Sequence, residues 1–232
     1  MKPAMRLWLR FSWRSRRVSG GDIWANRERL VRALAPGKTF IDIGGMWNVH
    51  GRMAFLAEES GASRVVLMDA MPATEEFEAE RRRRGSSVEY VKGDLNDREG
   101  IAALGQFDVA WCTGVLYHTP HPMLQIENLR AVTGERLLLG TRVIPEVPGL
   151  EHACLFYPGQ SPDAQAEFER AEGPGLPTIG LATPFDASQW YANWWWGLSP
   201  SSVRAMLNVA GFTVVEEHSP TPFMSDFLAH TG

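Results

Sequence analysis

The 232 residues carry 44% hydrophobic content and a formal net charge of -4, which suits one α/β domain with additions and a substantial core. No apolar run approaches the ~18 residues of a membrane span, and the acidic balance argues against a protein that coats nucleic acid generally. Two cysteines, Cys112 and Cys154, offer neither a disulfide framework nor a metal quartet. No His or carboxylate cluster has metal-ligand spacing, so no metal is expected, and a reducing cytoplasm is the expected location.

Residues 1–20 hold Lys2, Arg6, Arg10, Arg14, Arg16 and Arg17 interleaved with Trp8, Phe11 and Trp13. The arginines interrupt any apolar core, which speaks against a signal peptide. An anionic membrane surface and a grip on nucleic acid are open readings. The favoured one is an amphipathic lid helix or a homodimer contact. Asp22 to Leu34 is an expected helix with Ile23, Leu30, Val31 and Leu34 on one face, stopped by Pro36-Gly37.

Thr39 to Asn48 then organises the chain. Phe40, Ile41 and Ile43 make a short buried strand containing Asp42, and Gly44-Gly45 break it. Val49, Met53, Phe55 and Leu56 follow at helical spacing, up to Gly61. Strand, glycine turn and helix together build a nucleotide pocket at the carboxyl end of a first strand. Arg64–Asp69 is a second strand ending in an acid, the position that binds ribose hydroxyls in nucleotide folds. Val88–Val91 is a third, running into Gly93-Asp94-Leu95, and Phe107–Cys112 a fourth, running into Thr113 to His118. Glu75 to Arg84 is a charged helix whose four terminal arginines complement the helix dipole.

After the turn at 119–122, Met123 to Val132 reads as a helix and Leu137 to Gly140 as a fifth strand. Residues 142–188 lose periodicity and gain proline and glycine, the pattern of an insertion over the carboxyl ends of the strands. Ser199 to Gly211 has a Ser cap, a Pro start and a Gly stop. Phe212 to Glu216 is a strand, and Pro222 to Ala229 supplies the last one.

With D-I-G-G at 42–45, M-D-A at 68–70, G-D-L at 93–95 and F-D-V-A-W-C-T-G-V-L-Y-H at 107–118, the chain resembles class I S-adenosylmethionine-dependent methyltransferases. The resemblance covers residues 39 to about 140. It implies an α/β, Rossmann-like, doubly wound seven-stranded sheet over 1–232 as a single domain. Residues 1–36 would form an N-terminal helical lid, and 142–198 an insertion after strand 5 forming the substrate pocket. By the same resemblance Asp42 orients the methionine amino group, Gly44 and Gly45 admit the methionine part, and Asp69 with Ala70 holds the ribose. Asp94 and the Leu95 backbone read adenine, while Thr113, Gly114 and His118 line the pocket near the sulfonium. Met46 and Asn48 stand where the family's series has glycine; Asn48 is an acceptable substitute because Asn tolerates left-handed backbone.

For a hydroxyl acceptor, methyl transfer needs alignment and a base. Glu151-His152, in the insertion, is the preferred pair, with His118 as the other candidate. Trp190, Trp194 and Trp195 lie in a segment too aromatic for an ordinary turn; with Tyr117, His121 and Tyr157 they are candidate substrate walls. The leading expectation is an O-methyltransferase acting on a small molecule, a sugar or glycoside hydroxyl being the favoured acceptor, with S-adenosylmethionine consumed and S-adenosylhomocysteine released. Two alternatives stay open. One is a tRNA methyltransferase of wobble-uridine type, suggested by segments 111–130 and 194–211 and by Arg81–Arg84. The other is a non-catalytic methyltransferase-like subunit that binds a partner through residues 1–20.

Overall fold

The computed structural model describes residues 21–166 and 185–232. The basic-aromatic stretch 1–20 and its competing readings therefore lie outside the described residues. Helix α1 (Gly21–Leu34) precedes β1 (Thr39–Ile43), α2 (Arg52–Glu59), β2 (Arg64–Asp69), α3 (Glu75–Arg84), β3 (Glu89–Lys92) and α4 (Arg98–Leu104). Then come β4 (Phe107–Thr113), a 3-10 turn (Leu116–His118), α5 (Pro122–Val132) and β5 (Thr133–Arg142). Strands β6 (Cys154–Phe156) and β7 (Trp196–Leu198), helix α6 (Pro200–Val209) and strands β8 (Phe212–Thr221) and β9 (Met224–Thr231) complete the order.

Seven strands form one sheet in the order β3-β2-β1-β4-β5-β9-β8. The first five are parallel, and β9 then runs antiparallel to both β5 and β8. The central strand β1 is apolar on both sides because helices cover both faces. Ile41, Ile43, Val66 and Met68 pack with Ile101, Ile126, Leu129, Val203 and Leu207 of α4, α5 and α6. Phe40, Leu67, Trp111 and Leu138 pack with Leu30, Val31, Met53, Phe55 and Phe77 of α1, α2 and α3. The chain leaves β1 toward β2 on one side and returns as β4 on the other, so the carboxyl ends of β1 and β4 flank a topological switch point, where such sheets take their ligands.

Local signals explain the helix ends. The Thr74 side chain accepts from Phe77 N, and Gly85 closes α3 in a left-handed conformation. The Ser199 side chain accepts from Ser202 N, with Pro200 at the first position of α6. Helix α3 returns the chain from the carboxyl end of β2 to the start of β3, so Arg81–Arg84 lie at the amino edge of the sheet, away from the switch point. Arg83 and Arg84 pair with Glu80, and Arg84 also with Glu59. These arginines belong to a solvated, ion-paired helix end rather than to a phosphate grip at the cleft.

One strand is corrected in extent: β5 runs Thr133–Arg142, well beyond 137–140, because β9 pairs along it from Arg136 to Arg142; that support is invisible locally. Within the expected insertion, β6 and β7 pair antiparallel, Cys154 opposite Leu198, beside a small core of Tyr117, Ile144, Ala153, Tyr157, Trp194 and Phe223.

Candidate active site

At the end of β1, Gly44 has φ 80, and a Cβ there would lie 2.2 Å from Val115 Cγ2. A Cβ on Gly45 would lie 2.4 Å from Asp42 Oδ2. Only glycine leaves backbone and carboxylate open side by side here. Asp42 is 3% exposed, and its Oδ2 has no hydrogen-bond partner among the described residues. Burial, and secondarily the charge of Asp69, push its carboxyl up to about 7, with the Ala54 backbone N–H opposing them. A buried orphan carboxylate oxygen above a glycine turn fits a ligand that brings an ammonium group.

Asp69 ends β2 and holds the turn: its Oδ2 accepts from Met46 N at 2.9 Å and its Oδ1 from Met71 N at 2.8 Å. Burial raises its pKa, against the N–H groups of Met71, Met46 and Ala70. Each carboxylate oxygen keeps a further lone pair for a ribose hydroxyl. Asn48 takes φ 56, so it does adopt the left-handed backbone expected of a glycine substitute. Met46 is fully buried in the core with Met53, Leu67 and Phe77. Its bulk lies behind the turn.

Past β3, Asp94 Oδ1 accepts from Asn96 N at 2.8 Å, while its Oδ2 accepts from the Tyr191 hydroxyl. Leu95 is buried, and its carbonyl accepts from Asn128 Nδ2. Past β4, Thr113 is half-buried and Gly114 is exposed at φ 81. His118 Nδ1 lies 2.9 Å from the Asn193 carbonyl. A carbonyl only accepts, so Nδ1 carries the proton and Nε2 keeps its lone pair. Burial lowers the imidazole to about 4, and the nearby Arg142 charge adds to this against the Asn193 hydrogen bond. The ring is therefore neutral throughout the physiological range. Burial pushes the Cys112 thiol far up, so it is no nucleophile.

The aromatic segment divides in two. Trp194 is buried and stacks on Tyr157, with ring centroids 5.0 Å apart, so these two candidate substrate walls are packing residues. Trp190 is 48% exposed and, like Phe185, meets Trp195 edge-on. Trp195 N donates to the Tyr117 carbonyl, which fixes the segment over the 3-10 turn after β4. His121 is exposed, with its backbone N–H bonded to Thr119 Oγ1; it shapes the turn.

Glu151 and His152 are both exposed. They line a separate surface depression with Glu146, Ser201 and Arg204, and His152 Nδ1 faces the Ser201 carbonyl. None of the cofactor candidates lines that depression. His118 lies among the strand ends and His152 does not. Sequence reasoning missed Asn193, Tyr191 and Arg142. The first two lay inside a stretch read only for its tryptophans, and the third lay beyond the expected end of its strand.

The sheet order, the glycine turn and the acids ending β1, β2 and the β3 loop define the class I S-adenosylmethionine-dependent methyltransferase fold. Residues 48–134 match the methyltransferase domain family. The N-terminal domain of EvdMO1, solved with S-adenosylhomocysteine and D-fucose, superposes with TM-score 0.59 at 20% identity over 89% of this chain and 81% of that one. The 1,6-didemethyltoxoflavin-N1-methyltransferase of Burkholderia thailandensis gives 0.58 at 16% identity, over 100% and 91%. A tRNA U34 carboxymethyltransferase of Edwardsiella ictaluri is 26% identical over 220 residues, spanning 87% of this chain. The chain spans 65% of the length of that curated relative. The fold is that of the class I S-adenosylmethionine-dependent methyltransferases, and the stretch 48–134 carries the match to the methyltransferase domain.

Proposed function

We propose that the protein is an O-methyltransferase acting on a small-molecule hydroxyl, with a sugar or glycoside as the favoured acceptor, in a reducing cytoplasm. The observation that carries this reading is His118, an imidazole in the turn after β4 whose Nδ1–H donates to the Asn193 carbonyl, which leaves the Nε2 lone pair as the proton acceptor. When bound, S-adenosylmethionine supplies an electrophilic methyl group on a sulfonium. Asp42 would receive its amino group, Gly44 and Gly45 would admit its methionine part, Asp69 beside Ala70 would hold the ribose, and Asp94 with Leu95 would hold the adenine. Thr113 and Gly114 would line the pocket near the methionine part. His118 would accept the proton that the acceptor hydroxyl sheds as its oxygen bonds to the methyl carbon and the carbon–sulfur bond breaks, its electron pair leaving on the thioether sulfur. Trp190 and Trp195 supply flat apolar surface to a sugar ring.

The test follows transfer of labelled methyl to a panel of sugars, glycosides and phenols by wild type and by His118→Gln. Turnover on a hydroxyl that the variant loses supports the reading; background turnover with every acceptor ends it.

One observation favours a second reading, tRNA modification: the 26% identity to the tRNA U34 carboxymethyltransferase. The position of Arg81–Arg84 at the far edge of the sheet speaks against it. Absence of tRNA binding at low salt, where phosphate contacts are strongest, eliminates it.

A further inference from the structure

We propose that Asn193 is a positioning residue for the reaction: its side-chain amide aims the backbone carbonyl that sets the His118 tautomer. This rests on the reading of His118 as the base. His118 Nδ1 lies 2.9 Å from the Asn193 carbonyl, across 75 positions of chain. Asn193 is fully buried, and its own backbone is extended, at φ -85 and ψ 150. Its side chain is engaged entirely within the turn that precedes it. Oδ1 accepts from Asp186 N at 3.0 Å, while Nδ2 donates to the Asp186 carbonyl at 2.6 Å and to the Trp190 carbonyl at 3.2 Å. One N–H and two carbonyls as partners define which end of the amide is which.

Trp190, inside the turn so closed, stands at φ 35 and ψ -99, a conformation that a bulky residue keeps only where its surroundings impose it. Its carbonyl is held by both the backbone N–H and Nδ2 of Asn193, at 3.2 Å each. Downstream the chain is fastened independently. Trp195 N donates to the Tyr117 carbonyl at 2.9 Å, and Trp196 Nε1 to the Pro120 carbonyl at 3.2 Å. Those two bonds dock the segment on the 3-10 turn whatever stands at 193; the amide sets the direction of the carbonyl. A base needs such a third group, because an imidazole with its proton on Nε2 presents a donor there and no lone pair. The amide is also specific. Aspartate would set a carboxylate oxygen against two carbonyls, and alanine would remove all three side-chain bonds.

Nitrogen-15 NMR of histidine-labelled protein without ligands tests this, the His118 signals being assigned by their absence from His118→Gln. Wild type is expected to show the Nδ1–H tautomer. In Asn193→Ala and in Asn193→Asp, both melting cooperatively, the Nε2–H form that predominates for a histidine in water gains population. The same variants are expected to lose about ten- to hundredfold in kcat on whichever sugar, glycoside or phenol wild type methylates. The Nε2–H tautomer in wild type, or variants that keep the Nδ1–H signature, overturn the proposal. Failure of both variants to fold also overturns it, since the amide would then serve the fold and not the base. A tautomer change with unaltered kcat overturns the reading of His118 as the base and the positioning role with it, while the link from Asn193 to the ring stands.

Discussion

Arg27 and Asp226, 199 residues apart in sequence, close a bidentate ion pair in the interior, Nε to Oδ2 at 2.9 Å and Nη2 to Oδ1 at 2.7 Å. The pair ties α1 to β9 across β5, where a Cβ on Gly140 would lie 2.5 Å from Asp226 Oδ1 and 2.6 Å from Arg27 Nη2. Removing one partner strands a buried charge. Asp226→Ala is expected to cost about 3–5 kcal/mol in urea denaturation, and Arg27→Met with Asp226→Leu to recover most of it. A double variant no more stable than Asp226→Ala would contradict this account.

Asp42 couples cofactor binding to protons. Its folded pKa of about 7 lies above the ordinary 3.8, so the unliganded fold retains a proton that the unfolded chain has lost. This group's contribution to stability is full below pH 3.8 and is lost as pH rises through 7. An arriving ammonium favours the ionised carboxylate. Titration with S-adenosylhomocysteine at pH 6, in two buffers of different ionisation enthalpy, should therefore show proton release, which vanishes at pH 9 and in Asp42→Asn.

His118 has the opposite sign. With a folded pKa of about 4, below the ordinary 6.5, the imidazole must charge on unfolding in acid, so its contribution to stability declines as pH falls from 6.5 to 4. The acid limb of kcat/KM should sit near pH 4. His118→Gln should lower kcat by about 10²–10⁴ while leaving affinity for S-adenosylhomocysteine within a few-fold. An acid limb at pH 6.5 would show that the ring is solvated in the working enzyme.

Trp194 and Trp190 separate packing from contact with a ligand. Trp194→Ala should cost about 3–5 kcal/mol of stability, because the indole is buried against Tyr157. Trp190→Ala, at an exposed position, should stay within about 0.5 kcal/mol of wild type and act instead on the KM of the acceptor. Paired melting and kinetic measurements on the two variants decide the matter.

The sequence made the parallel half of the sheet legible because β1, β2 and β4 are largely apolar and buried and each ends beside an acid or a glycine. Asp42, Asp69 and Asp94 all stand at strand ends for that reason. What it hid depends on distant partners. Arg142 lies past an expected stop at Gly140, since only pairing with β9 carries β5 further. Glu151-His152 looked the better base from its place in an insertion. What orients His118, the other candidate, is a carbonyl at Asn193, 75 residues away, in a stretch read for its aromatic residues. Tyr157 and Trp194 sit 37 positions apart, and nothing local says that they stack on each other rather than on a ligand.

Among the bonds that fasten the 186–196 segment, the Tyr191 hydroxyl donates to Asp94, on the proposed adenine side, and the Asn193 carbonyl accepts from His118, on the proposed acceptor side. On the proposed assignment of the cleft, displacing this segment would open both halves together, and release of spent cofactor and of methylated product would then share one step. Tyr191→Phe removes one fastening and should speed release of S-adenosylhomocysteine about tenfold in stopped-flow tryptophan fluorescence, with Trp190 and Trp195 as the reporters. The same variant should raise the turnover of any acceptor whose departure limits the rate, and by the same factor.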